Sequence, residues 1–203
     1  YLVISDKDTD AGMIQVSTPF GLVSEVVLPD STVVRLNSDS RLKYPTRFAS
    51  AERVVELEGE AFFSVRSDEE HPFVVHCKDI DVQAVGTKFN ILTTKSGDII
   101  TSLVEGKVNI LKPSDDERIF LTSLLPGQTA RYYKSDDILT KAGHDYTKKY
   151  TAWLDGNMVF TKDPLKDVVE ELNRYYNIQV TIDENIGDSY RYTGTFRKMD
   201  IDR

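Results

Sequence analysis

Short runs in which apolar and polar residues alternate recur from about Ile14 to Leu139, and they constrain the fold more than any other feature. Within Glu52–Glu58 aliphatic residues alternate with glutamates, and within Ile80–Ala84 they alternate with Asp81 and Gln83. Successive side chains of a β-strand point to opposite faces, so this period predicts strands with one buried and one solvent-exposed face. Antiparallel sheets usually have this character. The sequence therefore predicts a mainly β domain.

Turn-forming residues separate these runs. The clearest turn is Pro29–Thr32, which joins Val26–Leu28 to Val33–Leu36. Proline presets φ for a turn, and the side chains of Asp30 and Ser31 can hydrogen-bond to their own backbone. The whole segment is therefore predicted to form a β-hairpin.

Two segments of the predicted β region resemble each other. Leu57–Ala61 and Val104–Val108 each place a Glu-Gly pair between apolar-rich runs. Glycine within a strand pattern indicates a bulge or a bend where a sheet turns a corner. Two such corners favour an antiparallel sandwich or jelly roll, with chance similarity as the alternative.

The pattern changes after Tyr146. Met158–Phe160 is predicted to be a short strand, and Asp163–Asn177 carries the one strong helix signal. Asp163 suits the N-cap and Pro164 the first helical position, where a missing N–H costs nothing. Four apolar residues with helical spacing form one stripe: Leu165, Val168, Val169 and Leu172.

Two further strands are predicted after this helix, at Ile178–Ile182 and roughly Arg191–Phe196. The order is then β-α-β-β, with a right-handed crossover if the first two strands pair in parallel. We place a domain boundary near residues 143–150, which gives a β domain over 1–145 and a small α+β domain over 150–203. The small domain is expected to be truncated at its C-terminal end and too small to have much core of its own.

Composition narrows the classes of function. The formal net charge of −8 is spread evenly and no basic stripe occurs, which disfavours nucleic acid and anionic lipid as partners. No stretch of about 18 apolar residues could span a membrane. The chain begins at Tyr1 rather than methionine, so we expect it to be part of a longer protein whose anchor lies elsewhere. Cys77 lies in an apolar run and is predicted to be a buried, inert thiol.

Motifs that carry catalysis are missing from the sequence. The three histidines lack the close spacing, with a carboxylate, that a metal site needs. No nucleophile elbow and no phosphate-binding glycine motif occurs. Carboxylates are abundant, but their clusters lie in turns, where solvated loops are the simpler interpretation. We therefore predict a binding module with no catalytic residues, no metal and no cofactor.

Several motifs resemble the periplasmic domain of FecR-type anti-sigma factors. They follow the family's order across roughly residues 14–140, namely Thr18–Gly21, Val27–Asn37, Ser40–Pro45, Val55–Phe63, Val85–Asn90, Ser102–Val108 and Leu125–Gln128. One departure is Ser31, where the family usually has glycine. The segment from Trp153 to Phe196 resembles the small domain that follows in members from Bacteroidetes.

This resemblance implies a role in signalling. Family members hold a sigma factor of the extracytoplasmic-function class with an N-terminal cytoplasmic arm, followed by a single span of the inner membrane. The part that this chain resembles is a soluble periplasmic region that senses the signalling domain of a substrate-loaded TonB-dependent outer-membrane transporter. Sigma-factor binding and membrane attachment would then reside in segments outside this sequence.

The open strand edges and the helix of the small domain are the predicted docking surface for that transporter domain. The residues that we expect to form it are Phe160, Asn173, Tyr175, Tyr176, Tyr192 and Phe196. Tyrosines combine a large contact area with a polar tip, which favours interfaces. Packing within the core or between domains is the competing interpretation for the tyrosines.

Two other functions compete with the signalling hypothesis. A jelly-roll carbohydrate-binding or adhesion module would present a row of exposed aromatic residues, for which Phe62-Phe63 and Tyr132-Tyr133 are the candidates. A β-barrel enzyme would need a convergent group of histidines and glutamates, and the sequence pattern does not indicate one.

Overall fold

The computed structural model of the chain describes residues 12–115, 117–143, 145–183, 186 and 189–197. Its alternating runs form two seven-stranded sheets. In spatial order, the first sheet contains β1 (Met13–Thr18), β4 (Ser40–Pro45), β5 (Arg53–Glu58), β7 (Phe73–Cys77), β8 (Ile80–Ala84), β11 (Val108–Lys112) and β12 (Ile119–Leu124). The second contains β14 (Ile138–Ala142), β13 (Thr129–Tyr133), β10 (Ile99–Glu105), β9 (Lys88–Thr93), β6 (Glu60–Ser64), β3 (Val33–Leu36) and β2 (Ser24–Val27). Neighbouring strands are antiparallel except for β5 and β7.

The inner faces of the two sheets share one hydrophobic core. Phe63 of the second sheet stacks on Phe89, with ring centroids 5.1 Å apart, and lies 6.0 Å from Phe73 of the first sheet. Along β5, Val55 and Leu57 are buried and alternate with exposed residues. The predicted fold class is confirmed: a mainly β, antiparallel sandwich followed by a small α+β part.

The two similar Glu-Gly segments lie where the chain crosses between sheets. Gly59 connects β5 of the first sheet to β6 of the second, with φ of 88°. Gly106 precedes the return from β10 to β11, with φ of 89°. A Cβ on Gly59 would lie 2.8 Å from the carbonyl oxygen of Asp39. These glycines are therefore required by close approach as well as by their left-handed conformation.

The predicted hairpin at 26–36 forms from β2 and β3. Asp30 Oδ1 accepts a hydrogen bond from the Thr32 backbone N–H at 3.0 Å, and Asp30 Oδ2 accepts one from the Thr32 hydroxyl at 2.7 Å. Ser31 has a φ of 72°, the left-handed conformation that glycine adopts without strain. Ser31 thus keeps the backbone that the usual glycine would adopt, at some cost in free energy.

One polar residue of the alternating pattern is buried, contrary to the sequence prediction. Asp81 on β8 is only 3% exposed, because Arg118 Nε lies 2.6 Å from its carboxylate and His76 Nδ1 lies 2.7 Å from it. Arg118 is supplied by the segment before the edge strand β12, a contact that no local pattern reveals. Cys77 is buried as predicted, and burial raises the pKa of its thiol.

After β14 the chain forms a small α+β unit. It contains α1 (Asp145–Thr151), a 3-10 helix (Ala152–Asp155), β15 (Asn157–Pro164), α2 (Leu165–Tyr176) and β16 (Arg191–Arg197). The strands β15 and β16 pair antiparallel, and α2 packs on them through a core of Met158, Phe160, Val168 and Tyr175. Helix α1 contacts β9 and β10 of the sandwich and β15 of the small unit, so it lies against both parts. The division into domains of 1–145 and 150–203 stays a prediction.

Two details predicted for this unit are wrong. Residues 178–182 form no strand, so the predicted parallel β-α-β crossover is replaced by the antiparallel β15–β16 pair. The N-cap of α2 is Pro164 rather than Asp163, because the Asp163 carboxylate accepts hydrogen bonds from the Thr161 N–H and from Lys149. Asn177, the last residue of the predicted helical segment, is the C-cap of α2, with a φ of 53°. The predicted truncation beyond residue 197 falls outside the described residues.

Candidate partner-binding site

Three of the predicted binding residues form one aromatic cluster on the β15–β16 sheet. Antiparallel pairing places Phe160 opposite Gly194, between the positions of Tyr192 and Phe196 on β16. The Phe160 ring meets both of these rings edge-on, at 6.1 Å and 6.0 Å, and they stack on each other at 5.6 Å. A Cβ on Gly194 would lie 2.6 Å from the Tyr192 hydroxyl, so glycine makes room for this stack. Tyr192 and Phe196 remain 36% and 37% exposed, whereas Phe160 is buried.

The other three predicted residues lie on the last turn of α2. Tyr175 is buried in the core of the small unit, and burial raises the pKa of its hydroxyl to about 12. Its ring meets the partly buried Tyr176 edge-on at 5.4 Å. Asn173 is half-buried and makes two hydrogen bonds to the Val180 peptide. Its Oδ1 accepts from the Val180 N–H at 2.7 Å, and its Nδ2 donates to the Val180 carbonyl at 2.8 Å.

The structure therefore brings all six predicted residues into one unit but gives them different roles. Phe160 and Tyr175 belong to its core and are out of reach of a partner in this arrangement. Asn173, Tyr176, Tyr192 and Phe196 have accessible surface. Their part in binding stays a prediction.

A second exposed segment, predicted to be a strand, follows the last turn of α2. Ile178 and Val180 lie on it and are 38% and 43% exposed. The Asn173 amide occupies the backbone groups of Val180 in the way that a neighbouring strand would. The alternation of Ile178, Val180 and Ile182 was the sequence signal for this segment, and it predicted a strand that does not form.

A buried charge network joins the small unit to the sandwich, and the sequence prediction missed it. Glu60, at the start of β6, is 3% exposed. Its carboxylate accepts hydrogen bonds from Asn37 Nδ2 at 2.7 Å, Asn90 Nδ2 at 3.0 Å and Arg174 Nη2 at 2.8 Å. Asn90 Oδ1 in turn accepts the indole N–H of Trp153 at 3.1 Å. We call Glu60, Asn37, Asn90, Trp153 and Arg174 the junction network.

The backbone of Arg174 is also bound by the sandwich. The Arg174 carbonyl oxygen accepts hydrogen bonds from the Ser38 hydroxyl at 2.5 Å and from the Gly21 N–H at 3.2 Å. The last carbonyls of a helix have no partners within the helix, so they need other donors. Here the sandwich supplies those donors.

Glu171 of α2, one turn before Tyr175, has a carboxyl whose pKa differs from its usual value. Burial raises the pKa of its carboxyl to about 7, the negative charges of Glu60 and Asp163 add to this, and Arg174 and Lys149 oppose it. Glu171 also lines a cavity of about 20 Å³ at the junction, a volume that fits about one water. This cavity is therefore no ligand site.

A larger cavity of about 370 Å³ opens on the sandwich beside Arg53. The Arg53 guanidinium donates to Asp30 at 2.6 Å and to the carbonyl oxygens of His71 at 2.7 Å and Arg66 at 3.0 Å. These bonds tie the β2–β3 turn to the segment before β7. We therefore assign Arg53 a structural role. Among the residues that the structure describes, no group of three or more His, Cys, Asp or Glu side chains could hold a metal ion.

The aromatic pairs that a carbohydrate-binding module would use are not exposed as pairs. Phe63 and Tyr132 are buried, and Phe62 and Tyr133 are only half-exposed. The exposed aromatic residues of the small unit are therefore the stronger candidates for a binding surface.

In the described part of the chain no helix has the length and apolar character to cross a membrane.

Comparison with known proteins agrees with this arrangement. The family model described as FecR protein matches residues 14–109, and the model described as FecR, C-terminal, matches residues 157–203. Two crystal structures of a proposed anti-sigma factor from Parabacteroides distasonis ATCC 8503 are each 33% identical to the chain. The 1.65 Å structure gives a TM-score of 0.83 over 93% of this chain and 86% of that one. The 2.50 Å structure gives 0.82 over 91% and 84%. No curated protein matches the chain.

A β sandwich joined to a small α+β unit that exposes aromatic residues is thus the architecture of a regulatory protein of the anti-sigma class. The chain belongs to the FecR family of anti-sigma factors.

Proposed function

We propose that this chain is the periplasmic, signal-receiving part of a transmembrane anti-sigma regulator. In this proposal it binds the N-terminal signalling domain of a TonB-dependent outer-membrane transporter when that transporter is loaded with its substrate. The signal then passes across the inner membrane to a sigma factor of the extracytoplasmic-function class. The proposal assigns sigma-factor binding and membrane attachment to other parts of such a regulator.

The observation that carries the proposal is the accessible aromatic and aliphatic surface of the small unit. Tyr192 and Phe196 stack on a sheet that has two strands among the described residues, and Ile178 and Val180 are exposed after α2. Contiguous exposed apolar surface on a soluble protein marks an interaction site. Rings with one buried face and one open face lose little side-chain entropy on binding, which suits them as anchors.

The form of this surface also supports docking of a folded domain. A two-stranded sheet leaves strand edges open, and an extended segment beside a helix offers backbone groups to a partner strand. The sandwich buries its aromatic core between two sheets of seven strands each. The proposal therefore assigns recognition to the small unit and support to the sandwich.

The test is calorimetric binding of the full chain to purified signalling domains of TonB-dependent transporters from the same genome. We expect the double substitution Tyr192→Ala with Phe196→Ala to weaken binding of the cognate domain by at least 30-fold. A matched control is Phe120→Ala, which removes a similarly exposed ring, 58% exposed, from the edge strand β12. Binding that is lost in the control and kept in the double variant would place the docking surface on the sandwich and overturn the proposal.

A further inference from the structure

The last turn of α2 contacts three different neighbours. Asn173 binds the Val180 peptide of the exposed segment, Arg174 binds Glu60 of the sandwich, and Tyr175 enters the core of the small unit. Neighbouring helix residues point about 100° apart, so three consecutive side chains can reach three different neighbours. The exposed segment is therefore connected to the sandwich through a single helical turn.

The contact between Arg174 and Glu60 is built as a buried ion pair. The two side chains are 14% and 4% exposed, and Arg174 Nη2 lies 2.8 Å from Glu60 Oε2. Asn37 and Asn90 supply further donors to the same carboxylate. A buried carboxylate needs an opposite charge and several hydrogen-bond donors, because an unpaired charge in the protein interior is costly in free energy.

The sandwich also shapes the backbone around the helix end. Gly21 has a φ of 76°, and a Cβ on it would lie 3.4 Å from the Tyr175 carbonyl oxygen and 4.0 Å from the Asn177 Cβ. Ser38 donates to the Arg174 carbonyl and accepts the Gly21 N–H at 2.7 Å. Separate segments of the sandwich thus converge on one turn of α2. The packing of α2 on its own sheet, through Val168 and Tyr175, does not involve them.

We infer that Glu60 and Arg174 are positioning residues for the partner-binding surface, because their ion pair holds the last turn of α2, and with it Asn173 and residues 177–182, in a fixed place on the sandwich. This inference rests on the proposed function for its link to a partner. The positioning itself is a property of the free protein and can be measured without any partner.

Two signals of the free protein report on how firmly the last turn of α2 is held. The Val180 amide donates to Asn173 Oδ1, so its hydrogen exchange measures how well Asn173 is held. Trp153 is the one tryptophan of the sequence, is buried, and donates to the asparagine that also binds Glu60. Its fluorescence therefore reports on the junction network.

The variants are Arg174→Met, which keeps the length of the side chain without its charge, and Glu60→Gln, which keeps the shape without the charge. We expect each to speed exchange of the Val180 amide at least 10-fold, to shift Trp153 emission to longer wavelength, and to weaken binding of the transporter domain at least 10-fold. The double variant should be less impaired than the product of the two single effects, because both remove one interaction. Arg174→Lys should recover part of the protection.

The matched control is Arg35→Met, which removes an exposed ion pair with Glu25, at 49% and 52% side-chain exposure, and should change none of these signals. Far-UV circular dichroism checks that the sandwich stays folded in each variant, and Glu60→Gln serves as the milder change if Arg174→Met does not fold. Unchanged Val180 exchange in folded Arg174→Met and Glu60→Gln would overturn the inference, whatever the partner does. If the variants speed Val180 exchange but the wild-type protein binds no transporter domain, the proposed function is overturned and the positioning role stands.

Discussion

In the described residues, the core of the sandwich contains 25 buried hydrophobic side chains, whereas the core of the small unit contains four. Apolar burial contributes roughly 25 cal/mol per Å², so the sandwich has enough core to be stable by itself. The small unit instead gains stability from polar contacts with the sandwich, above all the junction network. This difference suits a scaffold and a sensor, because contacts of polar groups at one helical turn can be lost without unfolding the sandwich.

The largest effect is expected in the sandwich. Phe63→Ala removes a fully buried ring that stacks on Phe89, and it should lower the free energy of unfolding by about 3–5 kcal/mol. Urea denaturation followed by far-UV circular dichroism measures this loss. Phe120→Ala on the exposed edge strand should cost less than about 0.5 kcal/mol. If both substitutions cost the same, the sandwich core is not the main source of stability.

The corresponding change in the small unit tests whether the two regions unfold separately. Phe160→Ala should destabilise the small unit by about 3 kcal/mol, because it opens a cavity in a core of four side chains. Trp153 fluorescence should then change at lower urea concentration than far-UV circular dichroism, which follows the sandwich. Coincident transitions for both signals would mean that the two regions form one cooperative unit.

One contribution to the pH dependence of stability should come from the junction. Glu171 has a pKa of about 7 in the folded chain against a usual value of 4.5, so its contribution to stability is complete below pH 4.5 and is lost as the pH rises through 7. Glu171→Gln should therefore be more stable than the parent by about 1–2 kcal/mol at pH 8 and equally stable near pH 4.5. Trp153 fluorescence during urea titrations at both pH values measures this. Glu105→Gln, an exposed control in the sandwich, should leave the pH dependence unchanged.

The smallest effect concerns the β2–β3 turn of the sandwich. Ser31→Gly relieves a left-handed conformation, with φ of 72°, and should raise the free energy of unfolding by about 0.5–1 kcal/mol. Ser96, in the turn before β10, has no such positive φ, so Ser96→Gly should not raise the free energy of unfolding. A thermal-unfolding series of the two variants measures the difference. Equal midpoints would show that the turn carries no strain.

Sequence patterns predicted the sandwich well because its faces follow a local period. The alternation in β5 places Val55 and Leu57 in the core, and each Glu-Gly pair marks a place where the chain crosses between the sheets. The same reasoning failed at 178–182, because a strand also requires a neighbouring backbone, and there the Asn173 side chain takes that place. A local period specifies which residues can be buried but not what lies beside them.

For the candidate site the sequence named residues but not their contacts, and their role in binding stays a prediction. It is the structure that stacks Tyr192 on Phe196 and sets Tyr175 edge-on to Tyr176. The junction network was missed because Arg174 and Glu60 are 114 residues apart. Glu60 looked like one of the solvated glutamates of its motif, and nothing local distinguishes a carboxylate that meets a distant guanidinium.

The crossings at Gly59 and Gly106 have a consequence for how this protein reaches its native state. Hairpins and single strands along the chain alternate between the two sheets, so neither sheet can be completed from one contiguous stretch of sequence. Partners such as β3 and β6, or β10 and β13, must find each other after long loops have closed. Proteins dominated by such distant pairings fold in roughly milliseconds to seconds, much more slowly than helical bundles. During that time unpaired strands are open to other molecules, and the order in which segments become available to pair helps to determine the yield of native protein.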